Sequence, residues 1–139
     1  VQYFSTSGRN HDSQYTEVDL QTLLKTSDII SIHAPLTDDT LHLIGEKELA
    51  QMKESAVLIN VGRGPIIVEE DLATALEQGT IAAAGIDVLD VEPMREDNPL
   101  RRIKDSTKLL ITPHIAWASV EARVRLMDII YGQIQEFLK

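Results

Sequence analysis

Short apolar runs separated by stretches of helical spacing constrain this chain more than any other feature. Val1-Gln2-Tyr3-Phe4, Ile29-Ile30-Ser31-Ile32, Val57-Leu58-Ile59-Asn60, the small-residue segment 82–88 and the segment 109–112 each have strand length and β-prone side chains. Between them, Val18, Leu20, Leu23 and Leu24 recur at near-helical spacing and predict a helix over 19–26. A loop and second helix follow over 41–52, the helix covering 46–52. A third helix spans 69–78, where Glu69, Glu70 and Asp71 favour the positive end of its dipole and Gly79 supplies the C′ position. The last spans 120–138, with Val124, Met127, Ile130, Ile134 and Leu138 on one stripe. Strands that are apolar throughout and alternate with helices belong to a parallel sheet covered on both faces. The segment 89–105, with Pro93 and Pro99, reads as a long loop with at most a helical turn, and long loops inside compact domains usually carry function.

A parallel sheet presents the carboxyl ends of its strands on one rim, where ligands of open α/β sheets bind. The candidate chemistry lies at those ends. Pro113 ends the last strand, because it has no N–H and disfavours helical geometry at Thr112, so His114 occupies a short strand-to-helix loop. Arg63 follows the third apolar run inside Gly62-Arg63-Gly64-Pro65, and Asp87 and Glu92 follow the fourth. Imidazole exchanges protons near neutral pH, guanidinium offers a planar fork of donors to a carboxylate, and an acidic neighbour fixes the tautomer of a histidine. Each residue also has an ordinary explanation: a histidine at a helix start, a surface arginine in a tight turn, an aspartate closing a turn.

Composition narrows the classes. In 139 residues, 43% of them apolar, one domain with a sizeable core is expected. Cys is absent, which excludes disulfides, thiol catalysis and thiolate metal sites; no metal site is expected. The formal charge of −9 argues against general affinity for nucleic acid or acidic membranes. No apolar run approaches the roughly 18 residues of a membrane span. A cytoplasmic location is the default expectation. The opening Val1, within a strand and without an initiator Met, reads as part of a longer protein.

Four motifs stand in order: His33-Ala34-Pro35-Leu36-Thr37, then Leu58-Ile59-Asn60-Val61-Gly62-Arg63-Gly64, then Gly85-Ile86-Asp87-Val88 with Glu92-Pro93, then Thr112-Pro113-His114-Ile115-Ala116. Together they resemble the nucleotide-binding domain of the D-isomer-specific 2-hydroxyacid dehydrogenases and cover nearly all of the chain. The continuation Trp117-Ala118-Ser119 with Glu121-Ala122-Arg123 looks most like the glycerate dehydrogenase (hydroxypyruvate reductase) branch. The family's Gly-x-Gly-x-x-Gly phosphate loop precedes the position of Val1. The resemblance therefore implies an incomplete Rossmann-type, doubly wound parallel sheet lacking its first βα unit and a central strand. Residues 1–139 would form a single partial NAD(P)-binding domain, without the substrate domain. Such a fragment is expected to be inactive alone, and its unpaired strand edges to invite association.

What the resemblance implies for chemistry is hydride transfer between NAD(H) or NADP(H) and a small 2-keto or 2-hydroxy acid, hydroxypyruvate/glycerate or glyoxylate/glycolate. His114 would protonate the carbonyl oxygen, Glu92 would pair with it, and Arg63 would bind the substrate carboxylate and keto oxygen. Asp87 would hold the nicotinamide carboxamide. Ala34, Pro35, Val61 and Gly62 would line the nucleotide side, with Arg63, His114 and Ala116 also against cofactor, and His33 within reach of it. Ser5 stands where NAD-preferring relatives usually carry an acidic residue for the ribose diol; with Thr6, Ser7 and Arg9 after it, a 2′-phosphate is better accommodated, although an ordinary polar turn explains the same residues. His11 and His42 read as surface residues. A homodimer is expected. The rival reading is a non-catalytic nucleotide-binding module of the corepressor kind, which a turnover assay would separate from an enzyme.

Overall fold

The computed structural model describes residues 1–9 and 11–139, so Asn10, in the expected turn after the first strand, lies outside the described residues. Two parallel sheets form. β1 (Gln2–Tyr3) pairs with β2 (Thr16–Glu17), and β3 (Ile29–Ile32), β4 (Val57–Asn60), β5 (Ala83–Ile86) and β6 (Leu109–Ile111) follow one another in a four-stranded sheet. The helices are α1 (Leu20–Thr26), α2 (Glu46–Leu49), α3 (Glu69–Gln78) and α4 (Val120–Phe137), with 3-10 turns at Gly64–Ile66 and Pro99–Arg102. The parallel alternation is as expected, and the long loop, expected to hold at most a helical turn, holds the turn at Pro99–Arg102. Each end has a local cause: the Asp19 carboxylate caps α1 through the Thr22 amide at 2.8 Å, and Gly79 leaves α3 in the left-handed conformation, φ 73°.

Strand register decides where the loops emerge. Ile32, Asn60, Ile86 and Ile111 form one row across the four strands. The chains leaving this row at residues 33, 61, 87 and 112 therefore emerge side by side.

One face of the sheet carries the core. Ile30, Leu58 and Ala84 stand in register and pack with Leu24 of α1, Leu49 of α2 and Leu76 of α3. Each fully buried leucine contributes about 1.5–3 kcal/mol relative to an exposed one. The other face departs from expectation. Ile29 and Leu110 are 64% and 65% exposed, and no residue of α4 is buried, so the stripe from Val124 to Leu138 covers nothing among the described residues. Smaller corrections concern β2 and α2. Thr16–Glu17 is exposed and polar, which leaves no hydrophobic pattern to read, and α2 ends after one turn at Leu49 instead of running to Met52.

The three carboxylates at the start of α3 do more than face a dipole. Glu69 accepts from the Asp90 amide and the Asn98 side chain, Glu70 pairs with Arg102, and Asp71 accepts from the Glu46 amide at the start of α2. They tie α3 to three neighbouring segments. The backbone at Gly64 presses on the same loop, because a Cβ there would overlap the carbonyl of Leu89 and the amide nitrogen of Asp90.

This contact predicts a contrast between two glycines. Gly64→Ala must displace main chain and should lower unfolding free energy by about 3 kcal/mol, at the upper end of overpacking costs. At Gly85 a Cβ would meet nothing nearer than 3.9 Å, so Gly85→Ala should be neutral or gain about 0.5–1 kcal/mol from reduced backbone freedom. Urea denaturation of the two variants checks the difference.

Candidate active site

The loop after β4 is folded around a side chain within the strand. Asn60 is buried, its Oδ1 accepts from the Gly62 amide at 3.0 Å, and its Nδ2 donates to the Arg63 carbonyl at 2.9 Å. Gly62 is needed there, since a Cβ would stand 2.8 Å from the Ala34 carbonyl oxygen. The Ala34–Pro35 and Val61–Gly62 segments therefore lie against each other at the rim. Arg63 leaves this turn exposed, with Nη1 donating to the Gly62 carbonyl at 2.8 Å.

Asp87, the first residue after β5, is buried and holds the loop that follows β6. Its Oδ1 accepts from the Thr112 hydroxyl and the Ile115 amide, and its Oδ2 accepts from the Ala116 amide at 2.9 Å. Burial alone would raise its pKa, but the hydrogen bonds from Thr112, Ala116 and Ile115, with His114 nearby, hold the carboxyl below the usual range. Its main-chain carbonyl accepts from the His114 amide at 2.9 Å. His114 is thereby held at φ 55°, a left-handed conformation that costs a non-glycine residue about 1 kcal/mol or more. The Trp117 indole N–H secures the other side, donating to the His114 carbonyl at 2.8 Å.

The imidazole so placed meets Glu92. His114 Nδ1 lies 2.8 Å from Glu92 Oε2, while Glu92 Oε1 accepts from the Leu89 amide at 2.9 Å. The Leu89 amide first and His114 second hold the Glu92 carboxyl below its ordinary value. With Nδ1 committed to the carboxylate, Nε2 makes no hydrogen bond among the described residues. This is the arrangement of a general acid–base group with an orienting partner.

Of the residues singled out from the sequence, Glu92, His114, Asp87 and Ala116 are joined by hydrogen bonds, and Ala34 and Gly62 by contact. Arg63 stands on the same rim but bonds within its own turn. Asp87 also closes a turn, its ordinary explanation. His11 is an exposed residue paired with Glu17 at 2.7 Å, and His42 is exposed with φ 54°. Asn60, Thr112 and the indole bond of Trp117 were not anticipated, and only Asn60, a polar residue closing an apolar run, left a signal.

Cofactor-sized space exists beside this rim. A groove of about 880 Å³ runs between β1 and β3, lined by apolar side chains such as Leu20, Leu24, Ile30 and Ile32 and also by Ser5, Thr6, His33, Ala34 and Pro35. The Ser5 hydroxyl oxygen is buried and has no hydrogen-bond partner. A buried hydroxyl is costly unless something bonds it, so an orphaned oxygen at the end of β1 fits a site that receives a hydroxylated ligand.

Asp87→Ala should lower stability by about 3 kcal/mol, because three donors lose a charged acceptor. Since the folded carboxyl titrates below its unfolded value, this contribution is complete above the ordinary carboxylate range and is lost as pH falls through the depressed folded value. Unfolding curves for wild type and Asp87→Asn across the acidic range check the sign: the variant should lack that acid-dependent loss.

Comparison with known proteins shows the family. Residues 1–116 match the family described as D-isomer specific 2-hydroxyacid dehydrogenase, NAD binding domain. The chain is 44% identical over 137 residues to a hydroxypyruvate reductase of Blautia hydrogenotrophica, covering 99% of this chain and 41% of that protein. It is 46% identical over 121 residues to a glycerate dehydrogenase of Methylorubrum extorquens, covering 87% and 38%. Thus it spans about two fifths of the length of these relatives. Among solved structures, an acyclic imino acid reductase in complex with NADPH and D-Arg superposes with a TM-score of 0.86 at 37% identity, over 99% of this chain and 43% of that one. With a family match over residues 1–116 and relatives 44% and 46% identical, the chain belongs to the D-isomer specific 2-hydroxyacid dehydrogenase family, as NAD-binding domain.

Proposed function

We propose that residues 1–139 are the partial nucleotide-binding domain of an oxidoreductase that interconverts a small 2-keto acid and the corresponding 2-hydroxy acid, hydroxypyruvate/glycerate or glyoxylate/glycolate. The observation that carries the reading is the 2.8 Å contact between His114 Nδ1 and Glu92 Oε2. It leaves Nε2 as the proton-carrying atom. In reduction, Nε2 gives its proton to the keto oxygen as the carbonyl carbon accepts a hydride; in oxidation it takes the hydroxyl proton. Glu92 keeps the Nδ1 proton in place and offsets the imidazolium charge. Arg63 binds the substrate carboxylate through its remaining donors and stabilises charge developing on the neighbouring oxygen.

A nicotinamide cofactor, when bound, supplies or accepts the hydride. Ser5 would hold its ribose end, with Ala34, Pro35, Val61 and Gly62 along its length and Ala116 beside His114. Asp87 Oδ2, which accepts one hydrogen bond, retains capacity for a carboxamide donor. The substrate domain would belong to another part of the full-length protein, which we expect to act as a cytoplasmic homodimer. Among the described residues no helix is long and apolar enough to cross a membrane.

His114→Ala in the full-length protein should lower kcat at least ~10²-fold, the scale of general acid–base catalysis, in a spectrophotometric assay with hydroxypyruvate and glyoxylate. Retained turnover of both acids would remove the reading.

Ser5 also predicts cofactor choice. No carboxylate stands there to repel a 2′-phosphate, and the turn closed by the Gly8 amide on the Ser5 carbonyl at 3.2 Å leads to an exposed Arg9. A charge-assisted hydrogen bond of about 1.5–3 kcal/mol corresponds to roughly ten- to a hundredfold in affinity. NADPH should therefore serve at least as well as NADH, and Ser5→Asp should turn the ratio of kcat/KM values toward NADH. A wild type preferring NADH a hundredfold, or a ratio unmoved by Ser5→Asp, would refute the assignment of Ser5.

A further inference from the structure

We infer that Glu69, at the start of α3, is a positioning residue for the His114–Glu92 pair, acting as a clamp on the loop that carries Glu92. The inference rests on the proposed role of His114 and names a residue outside that site. Glu69 Oε1 accepts from the Asp90 amide at 2.9 Å, and its Oε2 accepts from Asn98 Nδ2 at 2.7 Å. These two partners bracket Glu92 in the chain. The Asn98 amide cannot easily turn away, because its Oδ1 is engaged by the Leu100 amide at 2.9 Å and the residue is buried.

Besides this clamp, the loop is held where Leu89 and Met94 pack against the core and where Arg102 pairs with Glu70. Its first residue, Leu89, is pressed against Gly64 and donates its amide to Glu92 Oε1, so a displacement of 89–90 moves the Glu92 carboxylate directly. The charged groups facing Glu92 are His114 and Asp87. Asp87 is held by its own three donors and His114 by Asp87 and Trp117, so both are fixed independently of Glu69. Only the carboxylate partner depends on the clamp. Glu70 and Asp71, one and two positions on, face Arg102 at the far end of the loop and the Glu46 amide, and among the described residues make no hydrogen bond to residues 89–98.

A misplacement of about 1 Å in a reacting group costs on the order of 10²-fold in rate, so Glu69→Ala should lower kcat by about ten- to a hundredfold in the full-length protein. Its dissociation constant for NADPH or NADH, read by fluorescence titration, should stay within about twofold, because Glu69 is not among the residues that line the groove. The deciding measurement is a double-mutant cycle with Glu92→Gln. If Glu69 acts through Glu92, the double variant should be no more than about twofold slower than Glu92→Gln alone; losses that multiply would overturn the inference. Glu69→Gln keeps one acceptor for the Asp90 amide and places an amide against that of Asn98, so it should lose less than Glu69→Ala. Should Glu69→Ala not fold, the same cycle is read with Glu69→Gln, and multiplied losses or wild-type kcat there overturn it equally. His114→Ala is run alongside: if it retains turnover the catalytic reading fails, whereas a slow His114→Ala with an uncoupled Glu69 rejects the clamp alone.

Discussion

The row formed by Ile32, Asn60, Ile86 and Ile111 is the constraint on which the site depends. Parallel strands with this register release four loops at one level, and a slip of one residue would turn every subsequent side chain to the opposite face. Burial keeps the slip from occurring. Ile30, Leu58 and Ala84 face the helices two residues earlier in the same strands, so a shift would take these side chains out of their packing with Leu24, Leu49 and Leu76. The core is thus what holds His114 within reach of Glu92, although the two are separated by 21 intervening residues.

Within that frame the loops are joined to each other more than to the strands. Gly62 touches the Ala34 carbonyl, Gly64 touches Leu89 and Asp90, and Asp87 gathers Thr112, Ile115 and Ala116. Each junction brings backbone close to backbone or places a carboxylate on amide donors. Neither kind tolerates much adjustment. Such a rim is preorganised, which is what proton transfer requires, because the geometry must exist before the substrate arrives.

Patterns of local origin were legible from the amino-acid sequence. Apolar runs marked β3, β4, β5 and β6, Gly79 marked the end of α3, and the Pro113 break put His114 in a loop. The two short polar strand residues Thr16–Glu17 carried no such pattern, since their pairing with β1 uses backbone groups that any side chain offers. Tertiary hydrogen bonds other than the His114–Glu92 pair were equally hidden. Glu69, Glu70 and Asp71 fit a dipole argument by position alone, and only the fold reveals that each reaches a different segment. The stripe on α4 was read correctly as apolar, but apolar spacing states only that a face favours contact. It does not name what provides that contact, and α1, α2 and α3 share the core while no residue of α4 is buried.

The left-handed conformation of His114 shows how local cost and function are connected. An αL residue with a side chain costs free energy wherever it occurs, and a glycine there would remove the cost together with the imidazole. The chain keeps the imidazole and offsets the strain through neighbours: the Asp87 carbonyl on the His114 amide, the Asp87 carboxylate on the next two amides, and the indole of Trp117 on the His114 carbonyl. All four bonds fall on the backbone of a three-residue turn and none on the ring. The ring is therefore aimed by its main chain and trimmed by Glu92, and its second nitrogen stays uncommitted. A histidine serving only to cap a helix would need no such arrangement, since Ser119 already caps α4 through the Ala122 amide at 3.1 Å.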